Sequence, residues 1–295
     1  MAENRDSIEF FADCPGWFLK STKAIDTGTK PLDVAKYLAF VRRNVDIKAF
    51  TFLNLDLAAL AKSASNITEE LKDISSLPAA YKRMAVKDGK EAVESAIRGD
   101  ELKKPFANAY LFRMILENLK LDYALHPDRN RIFAACADGI KNGSKSSEDP
   151  SNTISFIAKY GEWVSIKKMN IREDTKPEEI SAHLTSIRLT LDKKAFEYTG
   201  LNTAVLDDYV ASLGKMRKSA ENLGKSIEML NSKATDVKVA ESSKGMNDGG
   251  EVARIYLLRQ MLQAMKLNFD VSPEELTSVY PNLKIPMPPG RKPKK

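Results

Sequence analysis

Apolar residues recur every three or four positions along most of this chain. The strongest run is Tyr110–Tyr123, YLFRMILENLKLDY, and it returns as Tyr256–Phe269, YLLRQMLQAMKLNF. The pattern predicts helices over roughly 105–121 and 251–267. Both are apolar on more than one face, which places them centrally in a bundle. The offset between the two runs, 146 residues from Tyr110 to Tyr256, also aligns the rest of the chain without a gap. Ser7-Ile8-Glu9-Phe10 meets Thr153-Ile154-Ser155-Phe156. Trp17 meets Trp163, the only two tryptophans, and Lys48-Ala49-Phe50 meets Lys194-Ala195-Phe196. About 28 of roughly 135 aligned positions are identical, which marks a tandem duplication.

Each copy opens on two β-branched, aromatic runs separated by a breaker. These are Ile8–Ala12 and Trp17–Ile25 around Cys14-Pro15-Gly16, and Ile154–Ala158 and Trp163–Ile171 around Lys159–Glu162. That pattern predicts a short β-hairpin, with a short N-terminal helix as the alternative. Pro31 and Pro177 then sit where a helix begins, followed by Asp33 and by Glu178-Glu179 near its positive end. Val34, Leu38 and Val41, echoed by Ile180, Leu184 and Ile187, form a buried stripe. These helices are expected to end near Asn44 and Thr190. The middle of the first unit predicts two short helices over 50–97. That of the second predicts one or two longer ones over 196–243. Gly99 and Gly245 punctuate both units before the central helix. Pro127 and Pro273 restart a helix, which in the first unit extends to about Lys141 and in the second stops at Pro281. The expected fold is mainly α, in two duplicated helical lobes, each opening with a short hairpin. The lobes span 1–146 and 147–290, joined by the polar run Asn142–Asn152, and a basic tail follows over 291–295.

Composition changes this picture little. With 43% apolar and 29% charged residues, the chain reads as an ordinary globular protein. No segment has the length and apolarity of a membrane span or a secretory leader, so a cytoplasmic protein is expected, or a virion component if the source is viral. Cys14 and Cys136 align with Tyr160 and Asn282, so neither a disulfide nor a metal framework repeats. The net charge of +6 divides into +3 for residues 1–146, +4 for Arg291–Lys295 and −1 for the remainder.

No phosphate loop, nucleophile elbow or zinc spacing is present, so the expectation is a protein that is not an enzyme and uses no cofactor or metal. His126 and His183 align with Ser272 and Tyr37 and read as surface or core fillers. The repeated chemistry is cationic. Arg42 aligns with Arg188, Lys48 with Lys194, Arg113 with Arg259, and Lys120 with Lys266. Arg113 and Arg259 interrupt apolar runs, so each must be paired or reach an anion. Glu117 stands four residues after Arg113. Asp46 and Asp192, present in both copies, are the other candidates. Phe50, Phe52 and Tyr110, with Phe196, Tyr198 and Tyr256, accompany the cations. Cations and aromatics together suit single-stranded nucleic acid. Arg129 and Arg131 lie in Asp128-Arg-Asn-Arg-Ile132, which over five residues resembles an arginine pair of helical plant-virus coat proteins and supports no identification.

The expectation is therefore a non-enzymatic RNA-binding structural protein of nucleocapsid or coat type. It would hold single-stranded RNA through Arg42, Lys48, Arg113, Lys120, Arg129, Arg131, Arg188, Lys194, Arg259 and Lys266, and would associate with itself. The alternative is an intracellular protein-interaction module that binds no nucleic acid. Two like lobes also leave a cleft between them as the natural place for a shared ligand.

Overall fold

The computed structural model describes residues 6–71, 73–121, 140–142, 151–213, 222–246, 249–267, 271 and 273–283. The first lobe runs β1 (Ser7–Cys14), β2 (Trp17–Ala24), α1 (Pro31–Thr51), α2 (Leu57–Thr68), α3 (Leu77–Ala85), α4 (Lys87–Ile97), α5 (Lys104–Asn118) and the short strand β3 (Ile140–Asn142). The second runs β4 (Thr153–Tyr160), β5 (Trp163–Asn170), α6 (Pro177–Tyr198), α7 (Thr203–Ser212), α8 (Leu223–Leu230), α9 (Lys233–Ser242), α10 (Gly249–Ala264) and α11 (Pro273–Val279). Each lobe opens with the antiparallel hairpin that its sequence pattern predicts.

The hairpins do not stand apart. They form one antiparallel sheet in the order β3-β2-β1-β4-β5, and the lobes meet where β1 pairs with β4. In that register Phe10 faces Phe156, its own duplicate, while Ile8 faces Ala158 and Ala12 faces Ile154. A pseudo-two-fold axis therefore passes between the two phenylalanines. Ile8, Phe10 and Ala12 alternate inward with Glu9 and Phe11 outward, and Ile154, Phe156 and Ala158 do the same on β4. The buried face rests on α1 and α6. Tyr37 of α1 donates to the Ile8 carbonyl at 3.3 Å and shares a 2.8 Å hydrogen bond with the buried Ser21 hydroxyl.

α1 and α6 make the most extensive helix–helix contact in the molecule. Both run further than their sequences predict, to Thr51 and Tyr198. The buried stripe continues through Val45, Ala49 and Phe50, and through Leu191, Ala195 and Phe196. The chain turns only at Asn54 (φ 55°) and Gly200 (φ 82°), aligned positions that both adopt the left-handed region. The middle of the first unit holds three helices, α2 to α4, instead of two. Among the described residues, that of the second holds α7, α8 and α9 where one or two longer helices are expected. α5 and α10 are central as predicted, with Phe106, Leu111, Phe112 and Ile115, and Val252, Leu257, Leu258 and Met261, all buried. The expected helix from Pro127 to about Lys141 ends instead in β3 over its last residues, and the rest of it lies outside the described residues. So do the linker from 143 to 150 and the tail.

Candidate functional site

The repeated arginines meet at the crossing of α1 and α6. Arg42 and Asp46 lie one turn apart on α1, and Arg188 and Asp192 lie one turn apart on α6. The helices pass each other in opposite directions, so each carboxylate receives an arginine from either lobe. Asp46 takes Arg113 from α5 of its own lobe and Arg188 Nε from the other lobe at 3.1 Å. Asp192 takes Arg259 from α10 of its own lobe and Arg42 Nε from the other lobe at 3.9 Å. Arg113 also stacks over Phe50 and Arg259 over Phe196, each guanidinium carbon 5.0 Å from the ring centroid. Burial pushes the Asp46 carboxyl up, but Arg113, Arg188 and Arg42 together outweigh it and hold it below its ordinary value.

Four of the residues expected on a nucleic acid are thus structural. Arg42, Arg113 and Arg188 are buried, and Arg259 is nearly so. Withdrawing any of them toward a phosphate would take one counter-ion from a buried carboxylate. Arg113 pairs with Asp46, and Glu117 takes Arg43 of α1 at 2.6 Å. Of the two carboxylates, the aspartate is the drier contact.

The repeated lysines are placed differently. Lys48 Nζ stands 5.6 Å over the Trp17 ring, and Lys194 Nζ stands 5.6 Å over Trp163 and 5.9 Å over Tyr198. Phe52 lies 6.3 Å from Trp17, and Tyr198 lies 6.0 Å from Trp163. All six side chains are half-buried, so each lobe carries a partly open station of one ammonium over a cluster of rings, beside a hairpin turn. In the second station Glu197 takes Lys194 at 2.5 Å, where the first copy has Thr51. Lys120 and Lys266 are exposed just past the ends of α5 and α10, at φ 58° and 56°. Arg129 and Arg131 lie outside the described residues. The two tryptophans belong with the cations, and repetition of both residue types at one offset is the signal that could have found them.

Between the lobes an open pocket of about 190 Å³ lies between Leu102 of the first and Lys176, Glu178, Val279, Tyr280 and Leu283 of the second. At the crossing, the space among Asp46, Phe50, Arg113, Thr185 and Arg188 is about 10 Å³. A larger open cleft, about 570 Å³, lies wholly within the second lobe between α6, α7, α10 and α11. Asp192 and Arg259 form its floor, with Lys193, Glu197, Asp207 and Glu275 around it. On its wall Tyr256 donates to Asp207 at 3.0 Å. Burial and that carboxylate push the phenol up to about 12. His183 is a core filler. It occupies the place of Tyr37 and bonds to the backbone of Ile154, as Tyr37 does to that of Ile8. Burial, with Lys167 beside it, lowers its pKa to about 4. Cys14 is a packed thiol, raised to about 11 by burial. His126 and Cys136 lie outside the described residues. Among the described residues, no helix is long and apolar enough to cross a membrane.

Fold and site together define a tandem-repeat protein in which two hairpin-and-helix units are sealed by a shared sheet and a reciprocal arginine–aspartate crossing. The chain belongs to the family described as a domain of unknown function, DUF2666, whose model matches it twice, over residues 5–130 and 151–280. It resembles the crystal structure of Pyrococcus furiosus PF2050, a member of that family, with a TM-score of 0.61 and 22% identity over 93% of this chain and 99% of that one. It is also 27% identical over 132 residues to the uncharacterized protein MJ0596 of Methanocaldococcus jannaschii. That match covers 44% of this chain and 93% of the relative, whose length is therefore about one repeat.

Proposed function

We propose that the protein is a non-enzymatic binder of single-stranded nucleic acid, RNA in the first instance. Its backbone would meet the ammonium groups of Lys48 and Lys194, and its bases would stack on the partly open rings beneath them. The observation that carries this reading is the lysine–tryptophan station, repeated in both lobes at the same 5.6 Å. Lys120 and Lys266 are further exposed cations that a strand could reach. The four crossing arginines take no part. The relatives above are archaeal, and the reading is of a cytoplasmic cellular protein, not a coat. A protein-interaction module is the second reading, favoured by the exposed apolar side chains of β5.

The test uses the two tryptophans as reporters, since both belong to the stations. Titrating the full chain with single-stranded RNA at about 50 mM salt should quench their fluorescence. Changing Lys48 and Lys194 together to alanine should lower the salt slope of binding by about 1.4, at about 0.7 per phosphate on a single strand. Absence of binding, or binding that leaves the tryptophans and the slope unchanged, sinks the proposal.

A further inference from the structure

The two lysine–tryptophan stations stand far apart. Trp17 opens β2 level with Cys14 of β1, and Trp163 opens β5 level with Tyr160 of β4. Where β1 meets β4, Asp13 faces Thr153 and Ser7 faces Lys159. Cys14 lies one step beyond Asp13 and Tyr160 one step beyond Lys159, so eight steps of the ladder part the two tryptophans. At about 3.4 Å per step that is about 27 Å along the strands. β2 and β5 are also three strand spacings apart, about 14 Å across the sheet at about 4.8 Å each.

The helices give a similar figure. Arg42 lies level with Asp192, and Asp46 with Arg188. Phe52 of the first station and Tyr198 of the second are then about sixteen residues apart along the paired helices, about 24 Å at about 1.5 Å per residue. The side-by-side spacing of the helices adds to this, so the stations are separated by about 25–30 Å.

Each station offers one ammonium and one cluster of rings, which suits a single phosphate and the base beside it. The pseudo-two-fold axis between Phe10 and Phe156 relates the two, and such an axis reverses every direction that lies in the sheet. A strand has a 5′ to 3′ direction. Segments that lie along the sheet and are held alike at the two stations therefore run antiparallel.

Resting on the nucleic-acid reading above, we propose that one chain holds two separate strand segments, one at each station, and so bridges single strands. A tetranucleotide covers about 10 Å at about 3.4 Å per stacked nucleotide, and even roughly doubled by unstacking it falls short of the second station. A long strand meets both stations alike only by doubling back.

Uridine tetranucleotides test this, one batch carrying a donor dye and another an acceptor. At about 50 mM salt the full chain should take two tetranucleotides, read by tryptophan quenching, and the mixed batches should show energy transfer. Lys48→Ala or Lys194→Ala alone should bring the stoichiometry toward one and remove most of the transfer. A stoichiometry of one for the unchanged chain, or of two without transfer, overturns the bridging and leaves the nucleic-acid reading standing. If long RNA binds where the tetranucleotide does not, the stations do not act singly and the bridging falls as well. If neither binds, both readings fall.

Discussion

Asp46, in the first lobe, accepts Arg188 of the second at 3.1 Å, and the duplicate of this pair, Asp192 with Arg42, runs the other way across the same interface. Each carboxylate also neutralises an arginine of its own lobe. Replacing Asp46 with asparagine leaves Arg113 and Arg188 as buried charges without their shared counter-ion. The expected cost is about 3–5 kcal/mol of stability, read by urea denaturation. Combining Asp46→Asn with Arg188→Gln should cost clearly less than the sum of the two single changes. Simple additivity would show that the two side chains do not interact.

Acid should destabilise the protein through His183. Its folded pKa of about 4 lies below the ordinary 6.5, so between those values the unfolded chain takes up a proton that the native chain refuses. Stability from this group is whole above pH 6.5 and is lost as pH falls toward 4, by up to about 3 kcal/mol. His183→Gln should flatten that part of the melting-temperature profile. An identical slope in the variant would assign the effect to other groups.

Two glycines should respond to alanine in opposite directions. A Cβ at Gly89, in α4, would stand 2.0 Å from the Met84 carbonyl oxygen, so α3 and α4 must separate. The expected loss is about 2 kcal/mol. A Cβ at Gly224, in α8, meets nothing within 4 Å, and alanine there should add about 0.4–1 kcal/mol by restricting the unfolded chain. Thermal melts of the two variants decide it.

The two stations should also be unequal. Glu197 competes for Lys194, whereas Lys48 has Thr51 at the aligned place. Lys48→Ala should therefore weaken RNA binding more than Lys194→Ala, by about threefold or more, in an anisotropy titration at low salt. Adding Glu197→Gln should strengthen binding only while Lys194 is present.

Local patterns and the repeat were legible in the sequence because each depends on nearby residues or on self-comparison. Pro31 and Pro177 start α1 and α6, and the hairpins follow their breakers. The need of Arg113 and Arg259 for a partner was equally plain, and Asp46 and Asp192 were among the candidates. The cross-lobe half of the network was not legible. Arg188 finds Asp46 through the packing of α1 on α6, and no spacing along the chain encodes that contact. The helix ends were misjudged for a related reason. Asn44 and Thr190 are weak helix formers, but the buried stripe carries the helix past them until Asn54 and Gly200 turn it. The fusion of the two hairpins into one sheet was missed as well, since edge strands show no partner in their own sequence.

The axis between Phe10 and Phe156 has an evolutionary corollary. A unit that carries both an arginine and an aspartate on one helix is complementary to itself, so a single-repeat ancestor could assemble from two identical chains. Joining the two copies in one polypeptide removes the requirement that they stay alike. Arg43 can become Leu189 and Glu117 can become Gln263 on one side alone. A polar cleft can then open in the second half while the first keeps its ion pair, a division of labour that an identical pair of subunits, mutating in concert, cannot reach.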